Sequence, residues 1–190
     1  PEQRVNMQHV LRFERNRKAQ WGLLQSGRIT PIPGEYSTTG SFVSAVDSAR
    51  LASLPAPTLA LADVRLLAPV TPSQQFVCQG ANYVQHMLDS GMSPDDKRYN
   101  MIFTKAPSCI VPADHDLIRP KRVKLLDYEV ELGLIIKQDI TGPVHVHAGN
   151  LHEYVAGIVI VNDYSARDVQ IPEMQFYKGK SYRTFGPVGP

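Results

Sequence analysis

A β-rich α+β fold in two domains is what this sequence predicts, on three observations. Segments 101–104, 108–111, 128–136 and 154–162 are rich in β-branched and aromatic residues and show little helical periodicity, which makes them strands. Residues 8–32 break into short strands separated by polar turns, with Ser26-Gly27 as a hairpin signal. Between these regions Pro69 and Pro72 interrupt regular structure and fix an extended connector, which places a domain boundary near residue 70.

Taken in order, residues 1–70 form a small domain. Its antiparallel strands are followed by a helix from Ser41 to Leu54, where Phe42, Val43, Val46, Ala49 and Leu54 keep helical spacing until Pro55-Ala56-Pro57 stops it. Residues 71–190 form the main domain. Phe76 to Cys78 is a short apolar strand, and Asn82 to Leu88 begins a helix that gives way to the polar stretch from Asp89 to Lys97, a loop. The last residues, Gly186-Pro187-Val188-Gly189-Pro190, are turn-rich with no helix or strand after them, which reads as a fold cut short. There is no repeat at a period of 20 to 50 residues, so solenoids and propellers are not expected.

Composition narrows the function. With 43% hydrophobic and 20% charged residues the chain is globular rather than disordered. Twenty Lys and Arg against 18 Asp and Glu leave a net charge of +2, no electrostatic reason to expect nucleic acid or an anionic membrane, so a small molecule is the expected partner. Cys78 and Cys109 read as strand residues without C-x-x-C spacing, which fits a reducing, cytoplasmic setting. No stretch approaches the ~18 apolar residues needed to span a bilayer, and a soluble protein is expected.

Two segments carry candidate chemistry. In Asp127-Tyr128-Glu129-Val130-Glu131-Leu132-Gly133, strand alternation sends Glu129 and Glu131 to one face, roughly 7 Å apart, and Tyr128, Val130 and Leu132 to the other. Like charges so placed repel unless a cation lies between them, and hard oxygens suit Mg²⁺, Mn²⁺ or Ca²⁺ rather than zinc. A strand with one solvated face alternates in the same way. In Ile158-Val159-Ile160-Val161-Asn162-Asp163-Tyr164-Ser165-Ala166-Arg167-Asp168 an apolar strand runs into a charged turn. Asp163 there reads either as a third carboxylate or as a helix N-cap, and Arg167 with Asp168 as an ion pair that stiffens the turn. His145 and His147 lie in a loop between Gly-Pro and Gly-Asn, a weak metal signal.

Taken together, D-Y-E-V-E-L-G, N-D-Y-S-A-R-D-V-Q and K-S-Y-R-T-F-G-P-V-G-P, in this order, resemble the core motifs of the fumarylacetoacetate hydrolase family. Upstream, Phe76 to His86 resembles the family's strand, G-x-N-Y and lid-histidine entry, and Phe103-Thr104-Lys105-Ala106-Pro107-Ser108 its F-x-K-x-P-S segment. The likeness covers about residues 66–190. It implies a mixed β-roll catalytic domain behind a small N-terminal α/β domain, and a homodimer. It implies that Glu129, Glu131 and Asp163 hold Mg²⁺ or Mn²⁺, with Ca²⁺ as a substitute. His86 would then be a lid base oriented by Asp89, Lys180 would stabilise developing negative charge, and Lys105, Arg167 and Gln170 would position substrate or water. Two positions depart from the family: Asp89 stands where it carries Glu, and Arg183 where it carries Asp.

The activity the resemblance implies is hydrolysis of a C–C bond in a small 2-oxo acid such as an acylpyruvate or fumarylpyruvate-like acid, through a metal-bound enolate. Isomerisation or decarboxylation of a 2-oxo-heptenedioate from aromatic catabolism is the second reading. A G-T-P segment found later in the family has no counterpart in these 190 residues, so an inactive or truncated binding relative is the reading from a different class.

Overall fold

The computed structural model describes residues 7–89, 91–96 and 98–189; Ser90 and Lys97 of the polar loop, and Pro190 of the closing segment, lie outside the described residues. The first sheet comprises β1 (His9–Arg15), β2 (Lys18–Gln25), β3 (Arg28–Pro31), β4 (Leu59–Ala60) and β5 (Arg65–Leu67), in the order β4-β3-β2-β1-β5. All four pairings are antiparallel. The expected turn at Ser26-Gly27 is present, and so is a second two-residue turn at Asn16-Arg17; all four residues have positive φ, the backbone that tight hairpins require.

The sheet buries an apolar cluster on each face. Leu11, Phe13, Ile29 and Leu59 form one, and Trp21, Ile32, Phe42 and Leu51 the other, with Trp21 stacked on Phe42 at 4.1 Å. Where one helix is expected over 41–54, two short ones form, α1 (Thr39–Ala45) and α2 (Ser48–Ala52). The physical reason is Asp47, whose side chain accepts the Arg50 N–H and caps a new helix just after Val46 has left helical φ/ψ. The start of α1 is tied to the connector: the Thr39 hydroxyl donates to the Pro69 carbonyl (2.8 Å) and accepts from the Thr71 N–H (2.9 Å).

Beyond the connector, β6 (Phe76–Gly80) pairs with β7 (Met101–Lys105), and α3 (Val84–Asp89) lies between them in sequence. A four-stranded sheet runs β10-β11-β13-β8, built from β8 (Ile110–Pro112), β10 (Val130–Ile136), β11 (Val155–Asn162) and β13 (Gly186–Gly189), while β9 (Leu126–Asp127) pairs with β12 (Ser165–Ala166). Three short helices complete it: α4 (Leu151–Tyr154), α5 (Arg167–Glu173) and α6 (Phe176–Lys180).

Three sequence expectations need correction. Gly186 to Gly189 is not a turn but an inner strand, antiparallel to β11 and parallel to β8, so its glycines and proline are overridden by ladder partners on both sides. The strand expected over 128–136 is interrupted at Tyr128-Glu129, between β9 and β10. Arg167 and Asp168 do not pair: Arg167 reaches Asp127 and Glu129, and Asp168 accepts the Lys124 N–H.

The β10–β11 ribbon has two unlike faces. Val159 and Val161 point inward onto Ala68, Ile110 and Val188, with Ile135 packed at the margin. The outward row, Val130, Leu132, Leu134 and Ile136 with Ile158 and Ile160, is 52–65% exposed. On β10 the one polar side chain, Glu131, therefore lies on the inner face with Gly133 and Ile135, while Val130, Leu132, Leu134 and Ile136 face out, the reverse of an ordinary solvated-face strand. Among the described residues no helix is long and apolar enough to cross a membrane.

Candidate active site

The interruption at Glu129 builds the site. The Asp163 N–H donates to the Glu129 carbonyl (2.7 Å), and the Glu129 N–H donates to the Asn162 side chain (3.1 Å), so the start of β10 and the end of β11 are fastened to each other. That fastening puts Glu129, Asp163 and the Ser165 hydroxyl together on the inner side of the sheet.

Two ammonium groups meet there, on different terms. Lys105, at the end of β7, is 1% exposed; its Nζ donates to Asp163 Oδ1 (2.5 Å), the Phe185 carbonyl (2.9 Å) and the Tyr164 carbonyl (3.3 Å). Lys180, at the end of α6, is 2% exposed and donates to Glu129 Oε1 (2.8 Å), Asp163 Oδ2 (2.7 Å) and Ser165 Oγ (2.7 Å). Asp163 thus has one ammonium on each oxygen. Burying charge is tolerable here because every ammonium hydrogen has an acceptor.

Lys180 reaches this position because α5 and α6 cross closely at Gly179, where a Cβ would lie 2.8 Å from Gln170 Cβ and backbone N. Arg167, on α5, completes the cationic side. Its Nη2 is 2.6 Å from Glu129 Oε1 and 2.8 Å from Asp127 Oδ2, and its Nη1 donates to the Gln170 side chain (2.8 Å).

The carboxylates respond unequally. Burial pushes the Glu129 carboxyl up, but the Lys180 hydrogen bond and charge, with Arg167 and Ser165, bring it below its ordinary value. Glu131 goes the other way: burial raises it, and the charges of Glu129 and Asp163 raise it further, against a hydrogen bond from the Tyr83 phenol. That leaves one carboxylate poorly compensated beside two that are braced. Among the described residues, no hydrogen bond reaches Glu129 Oε2.

The expected residues separate into those that meet and those that do not. Glu129, Asp163, Lys180, Lys105, Arg167 and Gln170 form one connected network, with Glu131 beside it. His86 and Asp89 are both exposed on α3, and Asp89 accepts from Gln85 (2.8 Å) rather than from His86. Ser165 was not singled out by the sequence: a serine in a turn has no pattern, yet here it is fully buried and touches Glu129 and Lys180. A groove of about 300 Å³ lined by Val130, Ile160, Asn162, Tyr164 and Pro187 includes none of the carboxylates.

The donor set is hard oxygen, which suits Mg²⁺ or Mn²⁺. As placed, no three His, Cys, Asp or Glu side chains among the described residues are grouped to hold an ion, and the Lys180 ammonium bridges Glu129 and Asp163.

A carboxylate cluster braced by buried cations at the ends of strands, on a β-rich α+β scaffold with a separate small sheet, defines the class. The family description "Fumarylacetoacetate (FAA) hydrolase C-terminal" matches residues 75–190, and "Rv2993c-like, N-terminal" matches residues 8–69. The chain belongs to the fumarylacetoacetate hydrolase family.

Among curated proteins it is 36% identical over 133 residues to oxaloacetate tautomerase YisK of Bacillus subtilis, covering 68% of this chain and 43% of that protein. It is also 36% identical over 136 residues to the human mitochondrial oxaloacetate tautomerase FAHD2A, covering 70% of this chain and 42% of that protein. A fumarylacetoacetate hydrolase from Exiguobacterium antarcticum superposes with a TM-score of 0.70 at 31% identity, over 97% of this chain and 65% of that one. A 2-hydroxyhepta-2,4-diene-1,7-dioate isomerase from Mycobacterium marinum gives 0.69 at 26% identity, with the same coverage. The chain therefore spans less than half the length of these curated relatives.

Proposed function

We propose that this site acts on a small 2-oxo acid, interconverting its keto and enol forms with a divalent cation, Mg²⁺ or Mn²⁺, held by Glu129, Glu131 and Asp163. The observation that supports the reading is the convergence of Glu129 and Asp163 with Lys180 and Arg167 in one network, with Glu131 beside it. When bound, the cation would supply Lewis-acid polarisation of the 2-oxo group and fix the orientation of the adjacent carboxylate. The chain's own residues do the rest. Lys180 keeps a fixed positive charge beside the site, the kind of preorganised electrostatic stabilisation that favours an enolate-like transition state. Gln170 and Asp127 hold the Arg167 guanidinium with its Nη2 at Glu129 Oε1, which favours the ionised form of that carboxylate. The similarity to proteins named oxaloacetate tautomerases supports keto–enol interconversion over other chemistry.

Hydrolysis of an acylpyruvate C–C bond is the second reading, supported by the solved fumarylacetoacetate hydrolase at 31% identity. It needs a base to activate water, the role of His86 with Asp89 behind it; with Asp89 engaged by Gln85, tautomerisation asks less of the residues as they stand. A homodimer in the cytoplasm is part of the same reading.

The test uses oxalate, which imitates the chelating end of a 2-oxo acid. Calorimetry with Mn²⁺ and oxalate should give saturable binding to the protein and none to Glu131→Ala, with circular dichroism showing both folded. Oxaloacetate enol loss and acylpyruvate cleavage, each followed by absorbance, then separate the two reactions. Absence of binding by the folded wild type overturns the reading.

A further inference from the structure

We infer that Ser165 is a positioning residue of this site: its buried hydroxyl joins the Lys180 ammonium to Glu129 Oε1 and so anchors that carboxylate by one oxygen, leaving Oε2 as the oxygen the site can offer. The inference rests on the reading of Glu129 as a site carboxylate and adds the residue that orients it.

A short ladder puts Ser165 there. Strand β12 pairs with β9 in a register that sets Ser165 opposite Asp127 and Ala166 opposite Leu126. The Arg167 N–H then donates to the Leu125 carbonyl (2.8 Å), which carries the ladder into α5. One stretch of three residues thereby delivers both Ser165 and Arg167 to Glu129, two residues beyond β9. Ser165 is fully buried, so its hydroxyl finds its partners within the protein.

The proton count fixes the direction of its bonds. Lys180 Nζ, an ammonium with donors only, lies 2.7 Å from Ser165 Oγ, so the serine accepts there. Its own single proton has two acceptors in reach, Glu129 Oε1 at 2.9 Å and the Asp163 carbonyl at 3.0 Å. The carboxylate is the stronger acceptor, because a hydrogen bond to an ionised group is roughly twice as strong as one between neutral groups. Lys180 also donates directly to Oε1 (2.8 Å), so Ser165 and Lys180 take the two lone pairs of that oxygen, with Arg167 Nη2 alongside at 2.6 Å. Without the serine hydroxyl, one ammonium hydrogen of Lys180 loses its acceptor in a buried site, and Glu129 loses one of the two hydrogen bonds that keep it from turning. Lys105 is the internal comparison: it shares Asp163 with Lys180, but its other acceptors are the Tyr164 and Phe185 carbonyls.

The test is NMR of the lysine Nζ and glutamate carboxyl signals in protein free of metal and substrate, wild type against Ser165→Ala and Ser165→Thr. In Ser165→Ala the Lys180 and Glu129 signals should shift, and the Lys180 ammonium hydrogens should exchange with water about tenfold faster or more, while Lys105 changes far less. Ser165→Thr, which restores a hydroxyl, should return them towards wild type. Unmoved Lys180 and Glu129 signals in a folded Ser165→Ala, a Lys105 change as large as that of Lys180, or a folded Ser165→Thr that matches Ser165→Ala each overturns the inference. Should Ser165→Ala not fold, Ser165→Cys is read in its place, since its sulfur is a weak acceptor and the same changes are expected. A failed titration with Mn²⁺ and oxalate overturns the metal reading and leaves Ser165 to be decided by these signals, which need neither.

Discussion

The sheet of β1 to β5 and the sheet around β10 and β11 hold their interiors together by different physics. The first closes on hydrocarbon: Leu11, Phe13, Ile29 and Leu59 on one face, Trp21, Ile32, Phe42 and Leu51 on the other, with the buried Thr30 hydroxyl given the Pro55 carbonyl. The second shares its interior between Val159, Val161 and Val188 and a set of charges, Lys105, Asp163 and Lys180, each almost fully buried. Hydrocarbon packing depends on volume and tolerates neighbours of similar size, whereas a buried ionic network depends on every partner being present. The first sheet should therefore lose stability in proportion to what is cut away, and the second should fail when any one charge is orphaned.

The largest expected effects test that contrast directly. Lys105→Met leaves Asp163 Oδ1 without its partner, and about 3–5 kcal/mol should be lost in urea unfolding. Adding Asp163→Leu should recover part of the loss, because the charge orphaned by Lys105→Met goes with it while Lys180 keeps Glu129 and Ser165; no recovery would show that the Lys180 contact to Asp163 is worth as much as the Lys105 one. Phe13→Ala, 0% exposed, should cost a similar amount, about 3–5 kcal/mol, by opening a cavity, with no second replacement of opposite polarity able to restore it.

Gly179→Ala should cost less, about 1–3 kcal/mol in thermal unfolding, since its Cβ would press on the Gln170 backbone and force α5 and α6 apart. Its sharper consequence is local: moving α6 draws Lys180 from Glu129, visible as altered lysine NMR signals.

The smallest effect is in pH. The Glu129 carboxyl is held below its ordinary value despite burial, so between that value and the depressed one the unfolded chain binds more protons than the folded one. The associated stability is fully present above the ordinary Glu value and is lost as pH falls through the depressed one. In buffer containing a chelator, urea midpoints should fall across the acid range, and Glu129→Gln should flatten that slope. A wild-type protein whose slope is unaffected by the substitution would place the acid sensitivity elsewhere.

Period-two alternation was enough to put Glu129 and Glu131 on one face, and the apolar run ending in Asn162-Asp163 was enough to place a carboxylate at a strand end. Alternation defines two faces but not which is inside, so the outward turn of Val130, Leu132 and Leu134 was not legible. Nor were α5 and α6, which are short, carry Pro172 and Gly179, and gain their stability from contact with each other. Strand β13 was hidden because its Gly-Pro-Val-Gly composition argues for a turn, and two flanking strands outvote composition. The motif resemblance named Lys105, Lys180, Arg167 and Gln170, but the joining of Lys105 to main-chain carbonyls is a tertiary fact that no local pattern encodes.

The outward aliphatic row of β10 and β11 sets how this chain behaves in a test tube. Six branched side chains half open to water, on and beside a strand that among the described residues stands at the edge of its sheet, make a flank wetted only at a cost. Protein concentration, a hydrophobic dye or a mild detergent should govern its association state more strongly than ionic strength, and salting-out agents should drive it from solution early.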